Sequence, residues 1–389
     1  EGDTIRLLRA DAENITQRSA MHYDRVFDNP MLFSGFENLM ALFAYSLQVY
    51  ADFSGYTDIA IGLSLLMGFY LPRNFNSPYK APNCSNFWKR WHISLSRWLQ
   101  NYLYIPLGGN RNATFGTYFW ILTITFVALI LSGNLYVAGG VLVLGAIVVT
   151  VGLRCPDRRK KIWANLNSMI TMLLGGLWHG ASCNFMIWGG LNGVGMIVYK
   201  FWRDFRPVVR TLWSLLILSV TGALYVFAPA PIWNLLLVFM LFITASAIIK
   251  WLYALSGLRW RFSGLGHAWA VGVTFVFITF TRLFFRSGSN LDPAIANETA
   301  WRIATEMVNQ MGTAWNANVG DIILAYDKVF ALFALGMVIH WLPDNWKRRY
   351  RIWFARMPLP LMAAVVVLTV FIAYQFVTAE MQPFIYFQF

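Results

Sequence analysis

Five histidines occur in the 389 residues, and two of them sit where an imidazole could do chemistry. His179 lies in Leu173–Tyr199, LLGGLWHGASCNFMIWGGLNGVGMIVY, between two apolar runs. An ionisable group at membrane depth is costly and tends to mark a pathway or a reactive site. The structural alternative is a neutral His179 hydrogen-bonded to a neighbouring helix, with Trp178 beside it as packing. His92 lies in Phe87–Arg97, FWKRWHISLSR, among Lys89, Arg90 and Arg97 and close to Trp88 and Trp91. An imidazole can take a proton from a weak hydroxyl nucleophile near neutral pH. Lys89, Arg90 and Arg97 suit the phosphates of a polyanionic donor. They serve equally as snorkelling anchors of an amphipathic helix at a membrane interface. Asn184 and the backbone N–H groups near Gly180 are candidates to steady an oxyanion. Cys84, Cys155 and Cys183 show neither CxxC nor metal-ligand spacing, so no metal or bound cofactor and no disulfide framework is expected.

The elements that must position these groups are membrane helices. The chain is 58% hydrophobic, 17% aromatic and only 13% charged, which excludes an ordinary soluble domain. An all-α, polytopic transmembrane bundle is expected, with about eleven apolar segments judged against a span of roughly 20 residues. These run roughly over 31–50, 58–71, 115–132, 136–153, 163–178, 184–199, 210–228, 233–249, 267–285, 321–341 and 358–378. The net charge of +13 comes from connectors between spans, not from one basic face, so nucleic acid is not an expected partner. Connectors 72–114, 154–161, 200–210, 250–261 and 342–357 carry most of the cations and are separated by pairs of apolar segments. All therefore fall on one face, cytoplasmic by the positive-inside rule. The turns Gly133–Tyr136, Gly180–Cys183 and Ala228–Pro231 and the loop 287–320 fall on the other, with Arg282, Arg286 and Arg302 as exceptions. Within 72–114, the spacing of Phe87, Trp88, Trp91, Leu95, Trp98, Leu99 and Tyr102 predicts an interfacial amphipathic helix. A short helix over about 294–311 is expected to lie on the membrane or to dock a partner. His267 and His340, at span ends, read as interfacial packing, and Asp52 and Asp58 as local caps or ion-pair partners.

Three ordered stretches, Tyr50–Gly62 (YADFSGYTDIAIG), Phe87–Gly109 (FWKRWHISLSRWLQNYLYIPLGG) and Gly176–Gly190 (GLWHGASCNFMIWGG), carry a family resemblance. The chain resembles the membrane-bound O-acyltransferase family, in the branch that O-acetylates bacterial exopolysaccharides such as alginate. The resemblance implies that His179 takes part in acyl transfer and that His92 lines the donor route. It departs from many relatives at Cys183, where they have Trp, and at Asn192, where they have His. The chain end, MQPFIYFQF, contains an FxYxxF motif whose Tyr386 resembles a transient acyl carrier of related systems; an aromatic interface anchor is the alternative.

The function expected is transfer of an acetyl group from cytosolic acetyl-CoA across the membrane. Implied partners are membrane lipids and an external SGNH-type acetyltransferase that modifies the polysaccharide, and the implied location is a bacterial inner membrane. A lipid or protein O-acyltransferase of the same family is the alternative enzyme, and a transporter or scaffold the non-enzymatic one. Residues 1–30 read as a polar N-terminal segment and 31–389 as a single domain. The absence of an initiator Met, and the additional hydrophobic helices that relatives carry ahead of this region, make a truncated start the expectation.

Overall fold

A computed structural model describes residues 22–180, 182–257, 263–287, 293–315 and 318–377. Among these the chain forms sixteen α-helices and no strand. In order they are α1 (His22–Asp28), α2 (Gly35–Leu66), α3 (Cys84–Trp88), α4 (Ile93–Leu99), α5 (Phe115–Ser132), α6 (Leu135–Arg154), α7 (Arg159–Leu177) and α8 (Cys183–Asp204). There follow α9 (Pro207–Phe227), α10 (Pro231–Leu255), α11 (Ser263–Ser287), α12 (Pro293–Thr313), α13 (Val319–Ala325), α14 (Asp327–Trp341), α15 (Asp344–Ala355) and α16 (Leu359–Val377).

Helix α2 begins at a capping box. The Glu37 amide donates to Ser34 Oγ at 3.3 Å, and the Ser34 amide donates to the Glu37 carboxylate at 2.9 Å. It runs for 32 residues, about 48 Å at the helical rise. The two apolar segments expected at 31–50 and 58–71 thus largely share one helix. No proline interrupts Tyr50–Gly62, and its isolated glycines are tolerated in a helix. Ala41, Leu42, Tyr45, Val49 and Phe53, spaced at helical intervals, are its buried stripe.

Among the described residues, five helices are long and apolar enough to cross a membrane: α5, α6, α9, α10 and α11. A sixth arises if α13 and α14, bent by 87° at Tyr326, count as one broken span. The remaining segments of the sequence-based set are otherwise disposed. Neither α7 nor α8 is apolar enough to join those five, and both carry several buried polar or small residues. The helices pack in sequential hairpins, α5 with α6, α7 with α8 and α9 with α10. Helix α11 is the most enclosed of the five, 44% buried where the others are 11–17%, and it packs on α2, α8 and α12.

Two expectations are corrected. Segment 72–114 is not one amphipathic helix: α3 and α4 are broken apart at His92, whose backbone is left-handed (φ +42°), and α4 runs into a π-helical turn over Gln100–Tyr104. Its stripe of Phe87, Trp91, Leu95 and Leu99 is buried, so the segment inserts into the bundle. Helix α12 likewise packs inside this chain. Ala300, Ala304, Met307 and Met311 form a buried stripe at i, i+4, i+7 and i+11, against α2, α10 and α11.

Candidate active site

The break at His92 is held by one side chain. Asn74 Oδ1 accepts from the Ser94 amide at 3.1 Å and from Ser94 Oγ at 3.0 Å, and the His92 Nδ1 lies 3.2 Å from the same atom. Because a backbone N–H donates to that atom, it is the amide oxygen, and Nδ1 must carry the proton. The His92 Nε2 is therefore the nitrogen that keeps its lone pair. Asn74 is anchored in turn by its own carbonyl, which accepts from the Ile93 amide at 2.9 Å. The ring is buried, edge-on to Phe53 at 4.8 Å, and this burial pushes its pKa down to about 4.

The depressed value has a consequence for stability. Between pH 6.5 and about 4 the unfolded chain takes up a proton that folded His92 refuses, so stability falls as pH falls through that window and is unaffected by this group above it. Linkage sets the loss at up to about 1.4 kcal/mol per pH unit. Thermal unfolding of wild type and His92→Gln at pH 7 and pH 5 should show the larger acid-induced drop in the wild type.

His179 sits in the turn between α7 and α8. The two helices cross where Gly176 meets Gly189: a methyl group on Gly176 would run into the Phe185 carbonyl, and one on Gly189 into the Met172 carbonyl. Glycine at both positions lets the backbones approach this closely. Ser182 Oγ caps α8, accepting from the Asn184 amide and from its side-chain Nδ2, both at 3.2 Å. The buried His179 ring lies 4.8 Å from Trp178, 5.1 Å from Trp188 and 5.2 Å from Phe285, in each case edge to face. Three aromatic walls leave it little rotational freedom.

Trp178 joins the two histidines, lying 5.9 Å from His92 as well as 4.8 Å from His179. It is 54% exposed although both imidazoles are below 10%. The indole is thus a roof with one side open and a histidine at each of two edges. A connector and a turn that parity assigns to opposite faces of the membrane meet under it.

The other candidates divide. Lys89 and Arg97 are exposed. Arg90 is committed internally, its Nε donating to Asn86 Oδ1 at 2.6 Å and a terminal nitrogen to the Asn76 carbonyl at 3.1 Å. Asn184 is buried and turned toward Ser182. Tyr386 lies outside the described residues. Asn192, at the departure from many relatives, is buried and reaches α11, donating to Thr281 Oγ1 at 3.4 Å.

Sequence reading missed three groups. Asn74 gives no signal, since only the fold brings it to His92. His340 is buried, not interfacial, edge-on to Tyr50 at 4.8 Å. Arg282, set aside as an exception to the charge pattern, is 2% exposed, with its guanidinium 4.4 Å above the Trp91 ring. Among the described residues no cluster of three His, Cys, Asp or Glu side chains could hold a metal ion.

A helical membrane bundle that buries two imidazoles under one exposed indole is the class of protein described to this point. Residues 11–130 match the model of the MBOAT, membrane-bound O-acyltransferase family. It is 40% identical over 157 residues to the probable alginate O-acetylase AlgI of Pseudomonas aeruginosa, a match covering 40% of this chain and 21% of the relative. It is 37% identical over 186 residues to the peptidoglycan O-acetyltransferase of Helicobacter pylori, covering 48% of this chain and 26% of the relative. Against the teichoic acid D-alanyltransferase of Bacillus subtilis it is 26% identical over 175 residues, covering 45% and 34%. The matches thus span about a fifth to a third of these relatives' lengths.

Proposed function

We propose that the chain carries the acyl-transfer site of a polysaccharide O-acetyltransferase of the inner membrane, with acetyl-CoA as donor. The observation that carries the reading is the meeting of His92 and His179 at two edges of the exposed Trp178. The names of the alginate and peptidoglycan relatives support the acceptor class.

In this reading Lys89 and Arg97, exposed on the His92 segment, attract the donor's phosphates, and the thioester arm enters beside Trp178. Arg90, tied to Asn86 and Asn76, positions the segment and leaves the phosphates to its neighbours. His179 removes the proton from the acceptor hydroxyl as its oxygen bonds to the acyl carbon. The C–S bond then breaks, and the proton passes from His179 to the departing thiolate. Water is kept off by the aromatic walls around His179, which favours transfer over hydrolysis.

Tyr386 is the proposed first acceptor, from which an external SGNH-type enzyme would draw the acetyl group. Mass analysis of the C-terminal peptide after incubation with isotopically labelled acetyl-CoA tests this. Label on Tyr386, absent from Tyr386→Phe and His179→Ala, is the expected result. Coenzyme A release with no peptide label, unchanged in Tyr386→Phe, would exclude the carrier and leave direct transfer.

A further inference from the structure

Burying an arginine without an acidic partner is costly, by several kcal/mol on general grounds. Arg282 is 2% exposed, and among the described residues no carboxylate pairs with it. Its guanidinium rests on the face of Trp91 at 4.4 Å, and Tyr79 is a neighbour. The Nε has no hydrogen-bond partner. A guanidinium offers five N–H donors in a planar fork, so this arrangement leaves donor capacity unspent inside the bundle.

Its surroundings are those of the histidines. Trp91, under the guanidinium, immediately precedes His92. Phe285, one turn along α11 on the same face as Arg282, packs on the His179 ring at 5.2 Å. Tyr79 cannot neutralise the cation, since its hydroxyl proton is given to the Ser46 carbonyl. A buried cation that no anion among the described residues balances, near the candidate base, is the arrangement required where negative charge appears only during reaction.

We propose that Arg282 is the oxyanion-stabilising residue of the acyl-transfer site, an assignment that rests on the acyltransferase reading above. As the acceptor oxygen attacks the acetyl carbon, the carbonyl π electrons move onto the carbonyl oxygen, and the unpartnered Nε–H of the guanidinium donates to it. When that oxygen re-forms its double bond, the C–S bond breaks and coenzyme A leaves as the thiolate, which recovers the proton held by His179. Because the charge exists only in the tetrahedral intermediate, Arg282 acts on kcat and has little effect on donor affinity.

The test is steady-state kinetics of the full-length protein with acetyl-CoA, for wild type, Arg282→Gln, Arg282→Met and Arg282→Lys, each with its thermal unfolding midpoint. In the Gln and Met variants kcat should fall by about 10²- to 10³-fold, with KM for acetyl-CoA nearly unchanged. Their Tm should hold or rise, because an uncompensated buried charge has been removed. The Lys variant, keeping the charge but not the fork, should recover part of the loss. Wild-type kcat per folded molecule in Gln or Met, a rise in KM alone, or a loss of Tm accounting for the lost activity would overturn the role of Arg282 while leaving the acyltransferase reading in place. Absence of turnover in the wild type would overturn both.

Discussion

Replacement of His179 by alanine is expected to lower acyl transfer by about 10²- to 10⁴-fold, the range a positioned general base contributes. The argument is geometric. Trp188 and Phe285 hold the ring edge to face from one side and Trp178 covers it, so the imidazole is presented in one orientation. Deletion removes the base while the aromatic walls, which belong to α8, α11 and the turn, stay in place. The unfolding midpoint should therefore change far less than the rate. Activity assayed on detergent-purified His179→Ala, beside its Tm, separates the two effects. A proportionate loss of both would make His179 a packing residue, the alternative its position in the sequence left open.

The largest effect on stability is expected at Gly189. A leucine there would have to displace the Met172 carbonyl of α7, a rigid backbone atom, and the Gly176 Cα across the crossing. Over-packing a tight interface typically costs 1–3 kcal/mol, and with backbone on the far side a Gly189→Leu cost of at least about 3 kcal/mol is expected. Because the same crossing sets the turn that carries His179, activity per folded molecule should fall as well. Gly55 and Gly62 in α2 have open space where a Cβ would go, so Gly62→Leu serves as the control and should leave the Tm nearly unchanged. Thermal unfolding of the two variants side by side reads the difference.

What the sequence disclosed depended on whether the determining physics was local. Helix α5 and helices α9 to α11 fall close to their expected bounds because an apolar run bounded by proline, glycine or cations is a local signal. The count of spans was less legible, since α7 and α8 carry Asn167, Ser168, Thr171, Asn184 and Asn192 on buried positions, and Asn167 and Asn192 reach Thr117 of α5 and Thr281 of α11. Hydropathy along the chain does not reveal such partners. The same reason explains the fate of segment 72–114. Of its expected stripe, Phe87, Trp91, Leu95 and Leu99 face the bundle while Trp98 and Tyr102 stay exposed, and Asn74 breaks the helix at His92 through hydrogen bonds that span some twenty residues.

The candidate site followed the same rule. His92, His179 and Trp178 were visible as residue types in unusual settings, and the structure brings all three together. The basic cluster was legible only as a group, since Arg90 turns inward while Lys89 and Arg97 stay exposed. Arg282 was seen as a misplaced charge in a topology argument, and its position over Trp91 is a tertiary fact.

The central claim is that this buried pair of imidazoles transfers an acyl group from a thioester. The most direct measurement is release of coenzyme A from acetyl-CoA by the full-length protein in lipid nanodiscs, wild type against His179→Ala and Trp178→Ala at matched folded concentration. Turnover in the wild type, lost in His179→Ala and diverted toward hydrolysis as Trp178→Ala opens the roof, is the result predicted. Equal turnover in wild type and His179→Ala, or none in a folded wild type, would contradict it.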